Sequence, residues 1–144
     1  MRYETTATTP KTPEQVWTQV VDVESWPALI ETYRSVRRLD DGPLAVGSRA
    51  RIEQVGLRPG DWSVTELVEG RSFTWQSSQP GVSVVAWHRI EPVADGGSRI
   101  TLGIEMRGAL AGLVGLLLAG RTRRYVDLEA ARFAASDGAN VPSS

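Results

Sequence analysis

The sequence predicts an α+β protein in which one antiparallel sheet packs against a long C-terminal helix. Residues 35–107 have the pattern of strands separated by turn signals, with no helical segment between them. Apolar residues then recur near helical spacing over about residues 109–135. A helix of this length can bury its apolar stripe along the concave face of a curved sheet of six or seven strands.

The N-terminal part is predicted to hold one strand and two short helices. Residues 2–9 alternate weakly, as a strand does. Thr12 is placed to cap a helix, Pro13 occupies its first position, and Gln15 stands where a capping box requires it. A second short helix is predicted over about residues 25–32. The sheet is therefore expected to begin with one strand that is separated from the others by helices.

The central strands are delimited by glycine- and proline-rich turns. The turns are Asp41-Gly42-Pro43, residues 56–60, Glu69-Gly70, residues 79–81 and residues 95–97. Strands at this spacing favour an antiparallel meander. The last strand has the clearest pattern, because its apolar residues alternate with polar ones and predict one apolar face: Ile100, Leu102, Ile104 and Met106.

The C-terminal helix carries a stripe of small residues. Ala111, Gly115 and Ala119 lie four residues apart, so they share one face and permit close approach of another backbone or a ligand. Close packing within the fold is one interpretation, and pairing with a second copy of the chain is the other. Residues 137–144 are small and polar and are expected to form a disordered tail.

The composition limits the classes of function. A chain of 144 residues suits one domain with a substantial core. Sixteen basic and seventeen acidic residues give a formal net charge of −1, so no global attraction to nucleic acid or to an anionic membrane is expected. We expect a cytoplasmic protein without an integral membrane span, because the N-terminus has no apolar signal region and the apolar stretch 108–120 is shorter than the ~20 residues that cross a bilayer.

Most catalytic and cofactor motifs are missing from the sequence. One histidine and no cysteine cannot form the ligand set of a zinc site. There is no G-x-S-x-G elbow and no G-x-x-x-x-G-K-[ST] loop. Gly108, Gly112 and Gly115 lack the dinucleotide-binding spacing, and no strand follows the helix. We therefore expect no cofactor and no metal.

The only histidine, His88, lies within a predicted strand. Strand alternation places it on the same face as Val84, Ala86 and Ile90, which is the apolar side of the sheet. An inward imidazole there can be a hydrogen-bonded core residue, a polar anchor for a ligand, or a general base.

Other polar residues are predicted to accompany His88. Gln54 and Glu66 are inward by strand phase, and Tyr33, Arg34 and Arg121 are expected near the ends of any cavity. Three of the five tryptophans, Trp26, Trp62 and Trp75, either fill the core or line an apolar pocket, since both environments use the same side chains.

The element order and four stretches of sequence resemble the START-like, or SRPBCC, superfamily. The stretches are DVESWPALIETYRSVRRL, LAVGSRARI, GRSFTW and AWHRIEPVADGGSRITLGIEMRG. Within that superfamily the chain is similar to the bacterial polyketide cyclase/dehydrase and lipid-transport group. The resemblance implies a helix-grip fold in residues 1–136, with a cavity between the sheet and the C-terminal helix. Leu113 and Leu117 are expected to roof that cavity.

The resemblance implies that this cavity binds a small hydrophobic molecule. The leading hypothesis is non-covalent binding of a lipid, an isoprenoid or a polyketide-like aromatic. One alternative is a cyclase or dehydrase in which His88 serves as general base, and another is a protein-interaction module or homodimer formed through the C-terminal helix. The residues expected to contact the ligand are Trp26, Gln54, Trp62, Glu66, Trp75, His88, Ile104, Met106, Leu113 and Leu117.

Overall fold

The computed structural model of the protein describes residues 1–135. The predicted tail at residues 137–144 lies outside this part of the chain. The elements, in chain order, are β1 (Arg2–Thr9), α1 (Pro13–Val21), a 3-10 turn (Val23–Ser25), α2 (Trp26–Leu29), β2 (Tyr33–Arg38), β3 (Arg49–Gln54), β4 (Gly60–Val68), β5 (Ser72–Gln79), β6 (Val82–Pro92), β7 (Ser98–Arg107) and α3 (Ala111–Ala134).

All seven strands form one antiparallel sheet in the order β1-β7-β6-β5-β4-β3-β2. Strands β2 to β7 are consecutive neighbours, as a meander requires, and β1 pairs with β7 from Arg2↔Glu105 to Thr9↔Ser98. Helix α3 packs mainly against β7 and β1. The predicted α+β helix-grip architecture is confirmed.

The helix boundaries show where local sequence signals were sufficient. The capping box at α1 is present, because Thr12 Oγ1 accepts from the Gln15 amide at 3.2 Å and Gln15 Oε1 accepts from the Thr12 amide at 2.8 Å. Helix α2 is shorter than predicted, since the backbone at Ile30 is already extended. Helix α3 begins at Ala111 rather than Ala109, after a turn at Gly108 with φ +113°.

The hydrophobic core and a cavity share the space between the sheet and α3. The C-terminal half of α3 contributes Ala130 and Phe133 to the core, where Trp26 is fully buried. The N-terminal half contributes Val114 and Leu118 to the wall of the cavity instead. The C-terminal end of α3 thus packs on the core, whereas the cavity lies between the N-terminal half of α3 and the sheet.

The outer face of the sheet has one close contact across strands. Trp87 on β6 lies over Gly103 on β7, and a Cβ atom at Gly103 would be only 2.0 Å from the indole. The Trp87 Nε1 group donates to Glu4 Oε2 on β1 at 2.7 Å. The absence of a side chain at Gly103 therefore lets one indole join three neighbouring strands.

Candidate functional site

A cavity of about 570 Å³ lies between the sheet and α3. This volume is within the range of small-molecule binding sites, roughly 300–1,000 Å³. Most of its wall is apolar, with Val114, Leu118 and Val126 on the helix side. The apolar side chains from the strands are Ile52, Trp62, Trp75, Val82, Val84, Ala86, Leu102, Ile104 and Met106.

Two hydrogen bonds join α3 to the loop between β3 and β4 beside the cavity. Arg121 Nη1 donates to the carbonyl oxygen of Gly56 at 2.7 Å, and the Tyr125 hydroxyl donates to that of Val55 at 2.6 Å. Leu57, in the same loop, lines the cavity. These contacts hold the loop against the helix, so one side of the cavity is closed by hydrogen bonds rather than by packing.

Three polar side chains from three elements meet at the cavity wall. Glu129 on α3 accepts a hydrogen bond from the Tyr33 hydroxyl at 2.6 Å through Oε1, and its Oε2 lies 3.5 Å from His88 Nε2. His88 and Glu129 are buried, and all three residues line the cavity. We call these residues the polar cluster.

The hydrogen bonds of His88 assign its protons. Its Nδ1 lies 3.2 Å from the carbonyl oxygen of Phe73, which can only accept, so Nδ1 is assigned as protonated. The other nitrogen, Nε2, faces a carboxylate oxygen of Glu129. A neutral imidazole of this tautomer would direct a lone pair at that oxygen. The contact is attractive only when one further proton lies between Nε2 and Glu129, on either partner.

Aromatic rings fix the orientation of the imidazole. His88 stacks on Phe73 with ring centroids 4.1 Å apart and an interplanar angle of 11°, while Trp26 and Trp75 lie at 5.6 and 6.0 Å. A polar pair surrounded by rings interacts more strongly than the same pair in water. The ring cannot turn away from Glu129 without losing both the stacking and the bond to Phe73.

Tyr33 holds its proton more tightly than an exposed tyrosine does. Burial raises the pKa of the Tyr33 phenol well above its usual value, and the charge of Glu129 and the hydrogen bond to it raise this pKa further. Tyr33 therefore acts as a neutral donor to Glu129.

Six of the ten residues expected to contact a ligand lie in the cavity wall. They are Gln54, Trp62, Trp75, His88, Ile104 and Met106. The inward faces of β3, β6 and β7 thus follow the predicted alternation. Tyr33, expected near an end of the cavity, also lines it, whereas Arg34 is exposed. Whether any of these side chains binds a ligand stays a prediction.

Four of the expected contact residues are not in the wall, and two of these are Trp26 and Glu66. Trp26 is fully buried in the core, where its ring packs against Phe133 and its Nε1 donates to the Val20 carbonyl at 3.1 Å. Glu66 is exposed, because the pairing of β4 with β5 shifts register between Val64 and Glu66. Such a bulge reverses the inward phase, so the next residue turns inward in its place.

The expected roof of the cavity is one residue out of phase. Leu113 and Leu117 are exposed, whereas Val114 and Leu118 line the cavity. Almost every residue between 108 and 120 is apolar, so the sequence there does not distinguish the inward face.

Glu129 is the residue of the polar cluster that the sequence interpretation missed. A signal for it exists, because Thr122, Val126, Glu129 and Phe133 follow helical spacing along the inward face of α3. A glutamate at an inward position of an amphipathic helix indicates a buried, partnered carboxylate.

The stripe of small residues on α3 packs within the chain. A Cβ atom at Gly115 would lie 2.8 Å from Met1 Cβ, and Ala111 is also buried. The close approach that this stripe permits is therefore used, at Gly115, by the residue that precedes β1.

Residues 1–135 contain no group of three histidine, cysteine or acidic side chains that could hold a metal ion. None of the helices there is long and apolar enough to cross a membrane.

Several solved structures share this fold. Zhui aromatase/cyclase from a Streptomyces species aligns with a TM-score of 0.75 at 18% identity, over 100% of this chain and 98% of its own. A START superfamily protein from Mycobacterium smegmatis aligns with a TM-score of 0.68 at 16% identity, over 89% of this chain and 92% of its own. The di-domain ARO/CYC protein BexL gives 0.70 at 16% identity over 93% of this chain, which spans only 45% of BexL. At these identities the likeness shows the fold alone.

Sequence comparison identifies the family. No curated protein matches the chain. A family model described as polyketide cyclase / dehydrase and lipid transport matches residues 1–136, which include every element of the fold. The chain therefore belongs to the polyketide cyclase / dehydrase and lipid transport family.

Proposed function

We propose that the protein binds a small, largely apolar molecule in the cavity between the sheet and α3. The observation that carries this proposal is an apolar cavity of about 570 Å³ whose wall includes the polar cluster. Small-molecule sites typically combine apolar walls with a few fixed polar groups that orient the ligand. A lipid, an isoprenoid or a polyketide-like aromatic has this character.

The polar cluster favours a ligand that carries a hydroxyl group. Tyr33 already donates to Glu129, and His88 donates to Phe73 through Nδ1. The cluster consequently has unused acceptor lone pairs on the Glu129 carboxylate and no free donor of its own. A phenol, enol or alcohol can donate to these lone pairs, whereas the Gln54 amide, also in the wall, can serve a carbonyl.

Filling the cavity tests this proposal. Native mass spectrometry of gently purified protein, with organic extraction of released molecules, is expected to find a bound species of definite mass. Ala86→Trp places an indole inside the cavity and should abolish its binding. Ala131→Trp makes the same change on the exposed face of α3 and should leave binding intact.

An apolar fluorescent probe extends the same test to protein without a co-purified ligand. Anilinonaphthalene sulfonate should bind the wild type and the Ala131→Trp variant, and not Ala86→Trp. Equal binding of a ligand or the probe by all three proteins would refute the cavity as the site, and so would a wild type that binds neither.

The contact between His88 and Glu129 favours a second candidate, which is dehydration of a β-hydroxy carbonyl compound. When the further proton is on Glu129, His88 Nε2 is free to take a proton from the carbon next to the carbonyl, forming an enolate. The enolate re-forms the carbonyl with a carbon–carbon double bond and expels the hydroxyl group. That group leaves as water with the proton of Glu129. Transfer of the proton from His88 to Glu129 restores the cluster.

Proton exchange separates this enzyme from a binder. The ligand recovered by extraction, or a β-hydroxy ketone if none is recovered, is incubated with the protein in deuterium oxide and analysed by mass. An enzyme incorporates deuterium next to the carbonyl or eliminates water. Glu129→Gln removes the proton that the leaving hydroxyl group receives, so it abolishes the elimination. An unchanged ligand in the presence of the wild type rejects the enzyme and leaves the binder.

A further inference from the structure

The N-terminal half of α3, with the residue before it, exposes four leucines on the outside of the protein. The exposed fractions are 47% for Leu110, 57% for Leu113, 80% for Leu116 and 71% for Leu117. We call these four residues the leucine patch. In residues 1–135 the other large apolar side chains with comparable exposure are three valines. Grouped exposed leucines on a surface indicate a binding face.

The leucine patch lies directly beside the cavity. Val114 and Leu118, in the same turns of α3, line the cavity from the other side of the helix. Leu110 extends the patch to the turn between β5 and β6, where its amide donates to the carbonyl of Gly81 at 2.8 Å. Pro80, in this turn, also lines the cavity. A surface that covers the patch would therefore adjoin the cavity.

The charged residues around the patch are mostly basic. Residues 105–127 contain four arginines and two acidic residues, and one of the acidic residues, Glu105, pairs with Arg107 at 2.8 Å. Arg124 Nη1 lies 3.7 Å from the position of a Cβ atom at Gly120, so its guanidinium extends back toward the leucines. Arg58, exposed in the loop between β3 and β4, adds a further positive charge at the cavity wall. The net charge of −1 for the whole chain conceals this local excess.

This charge pattern distinguishes between possible partners. In a symmetric dimer the patch would meet its own copy, and the excess of arginines on one chain would face the same excess on the other. An anionic surface instead complements the arginines, while its apolar interior accepts the leucines. Amphipathic helices that lie in a bilayer interface combine these two features.

We propose that the leucine patch docks the protein onto an anionic lipid bilayer. In the docked state Leu113, Leu116 and Leu117 enter the boundary between headgroups and acyl chains, and the arginines contact anionic headgroups. Docking itself depends only on this surface. Its consequence, which rests on the proposed function, is that an apolar ligand moves between the bilayer and the cavity without crossing water.

Vesicle flotation tests the docking. The probes are vesicles of phosphatidylcholine with phosphatidylglycerol, and vesicles of phosphatidylcholine alone. The wild type is expected to float with the anionic vesicles, less at high salt, and weakly with the neutral ones. Leu116→Ser with Leu117→Ser should lower the partition coefficient about tenfold per leucine. Arg124→Glu should lower it about fivefold or more.

A matched control removes apolar surface elsewhere. Val46 and Val68 are 63% and 56% exposed, so Val46→Ser with Val68→Ser makes a comparable change outside the patch and should float like the wild type. The proposal is overturned if the wild type does not float with anionic vesicles, or if this control loses as much binding as the leucine variant.

Two further readouts separate docking from the other possibilities. Size-exclusion mass tests self-association, and a wild-type dimer that the double leucine variant converts to a monomer would assign the patch to a second copy and overturn the proposal. Native mass spectrometry of the double leucine variant should still find the cavity ligand. If no variant or wild type carries a ligand and flotation is as expected, the proposed function fails while the docking stands.

Discussion

Replacing Glu129 separates the role of its hydrogen bonds from the role of its proton. In Glu129→Gln the amide oxygen can still accept from Tyr33, and the amide nitrogen can donate to Nε2 of a neutral His88. In Glu129→Leu both neighbours lose their partner. The two variants have similar volume, so the difference between them reports on polar contacts rather than on packing.

The contacts of Glu129 determine the expected difference in stability between the two variants. A buried polar group that loses its hydrogen bond costs ~1–3 kcal/mol. Tyr33 donates to Glu129 at 2.6 Å, and His88 Nε2 lies 3.5 Å from its carboxylate. We expect Glu129→Leu to be less stable than Glu129→Gln by about 3 kcal/mol, since the Tyr33 bond is short and the His88 contact is long. For a chain of this size the midpoint of thermal unfolding would fall by about 6–12 °C.

The proton is measured by nitrogen NMR of the imidazole. His88 is the only histidine, so both imidazole resonances belong to it. In the wild type Nδ1 should be protonated, and Nε2 should carry the further proton in its contact with the Glu129 carboxylate. In Glu129→Gln, Nδ1 should stay protonated, while the Nε2 resonance should move to the position of an unprotonated ring nitrogen.

Two results would refute this reasoning. The first is a neutral wild-type imidazole with its proton on Nε2 and none on Nδ1, because the bond to Phe73 then does not exist. The second is equal stability of the glutamine and leucine variants, because Glu129 then supports neither neighbour.

Three further predictions concern packing and titration. Gly103→Ala should lower the free energy of unfolding, measured with urea, by ~1–3 kcal/mol, because the new Cβ would overlap the Trp87 indole. Gly112→Ala is the control, since its Cβ would contact nothing, and it should not lower the free energy of unfolding. The Arg132 hydrogen bond, with a backbone hydrogen bond, lowers the pKa of Glu31 from 4.5 to about 2, so this pair stabilises the fold above pH 4.5 and less as the pH falls toward 2. In Arg132→Ala, carbon NMR should find that the Glu31 pKa has risen toward 4.5. Because the pKa of Tyr33 is raised, ultraviolet titration should find one phenol that ionises last, and Tyr33→Phe should remove that step.

The fold could be predicted from sequence because its signals are local. A capping box fixes the beginning of α1, and glycine-rich turns separate the strands. Each of these features depends on residues within a few positions of one another. The alternation along β7 also holds, with Leu102, Ile104 and Met106 in the cavity wall.

The sequence predicted the site less well than the fold. The residues that it misplaced or missed depend on which face of a strand or helix points inward, and on contacts between residues far apart in the chain. The bulge that turns Glu66 outward arises from pairing with β5 and has no signal within β4 itself. Glu129 lies 41 positions after His88 in the chain, and only the packing of α3 on the sheet brings them together. A lone histidine gives no indication of which carboxylate will face it.

The apolar stretch in α3 explains both the misplaced roof and the leucine patch. A soluble helix that packs on one face needs an apolar stripe only there, and its outer face is normally polar. The C-terminal half of α3 follows this rule, since Arg123, Arg124 and Asp127 are exposed. The N-terminal half is apolar on both faces, with Leu118 inward and Leu117 outward. Folding of this chain alone accounts for the inward face, and the docking that we propose would give the outward leucines a second apolar environment.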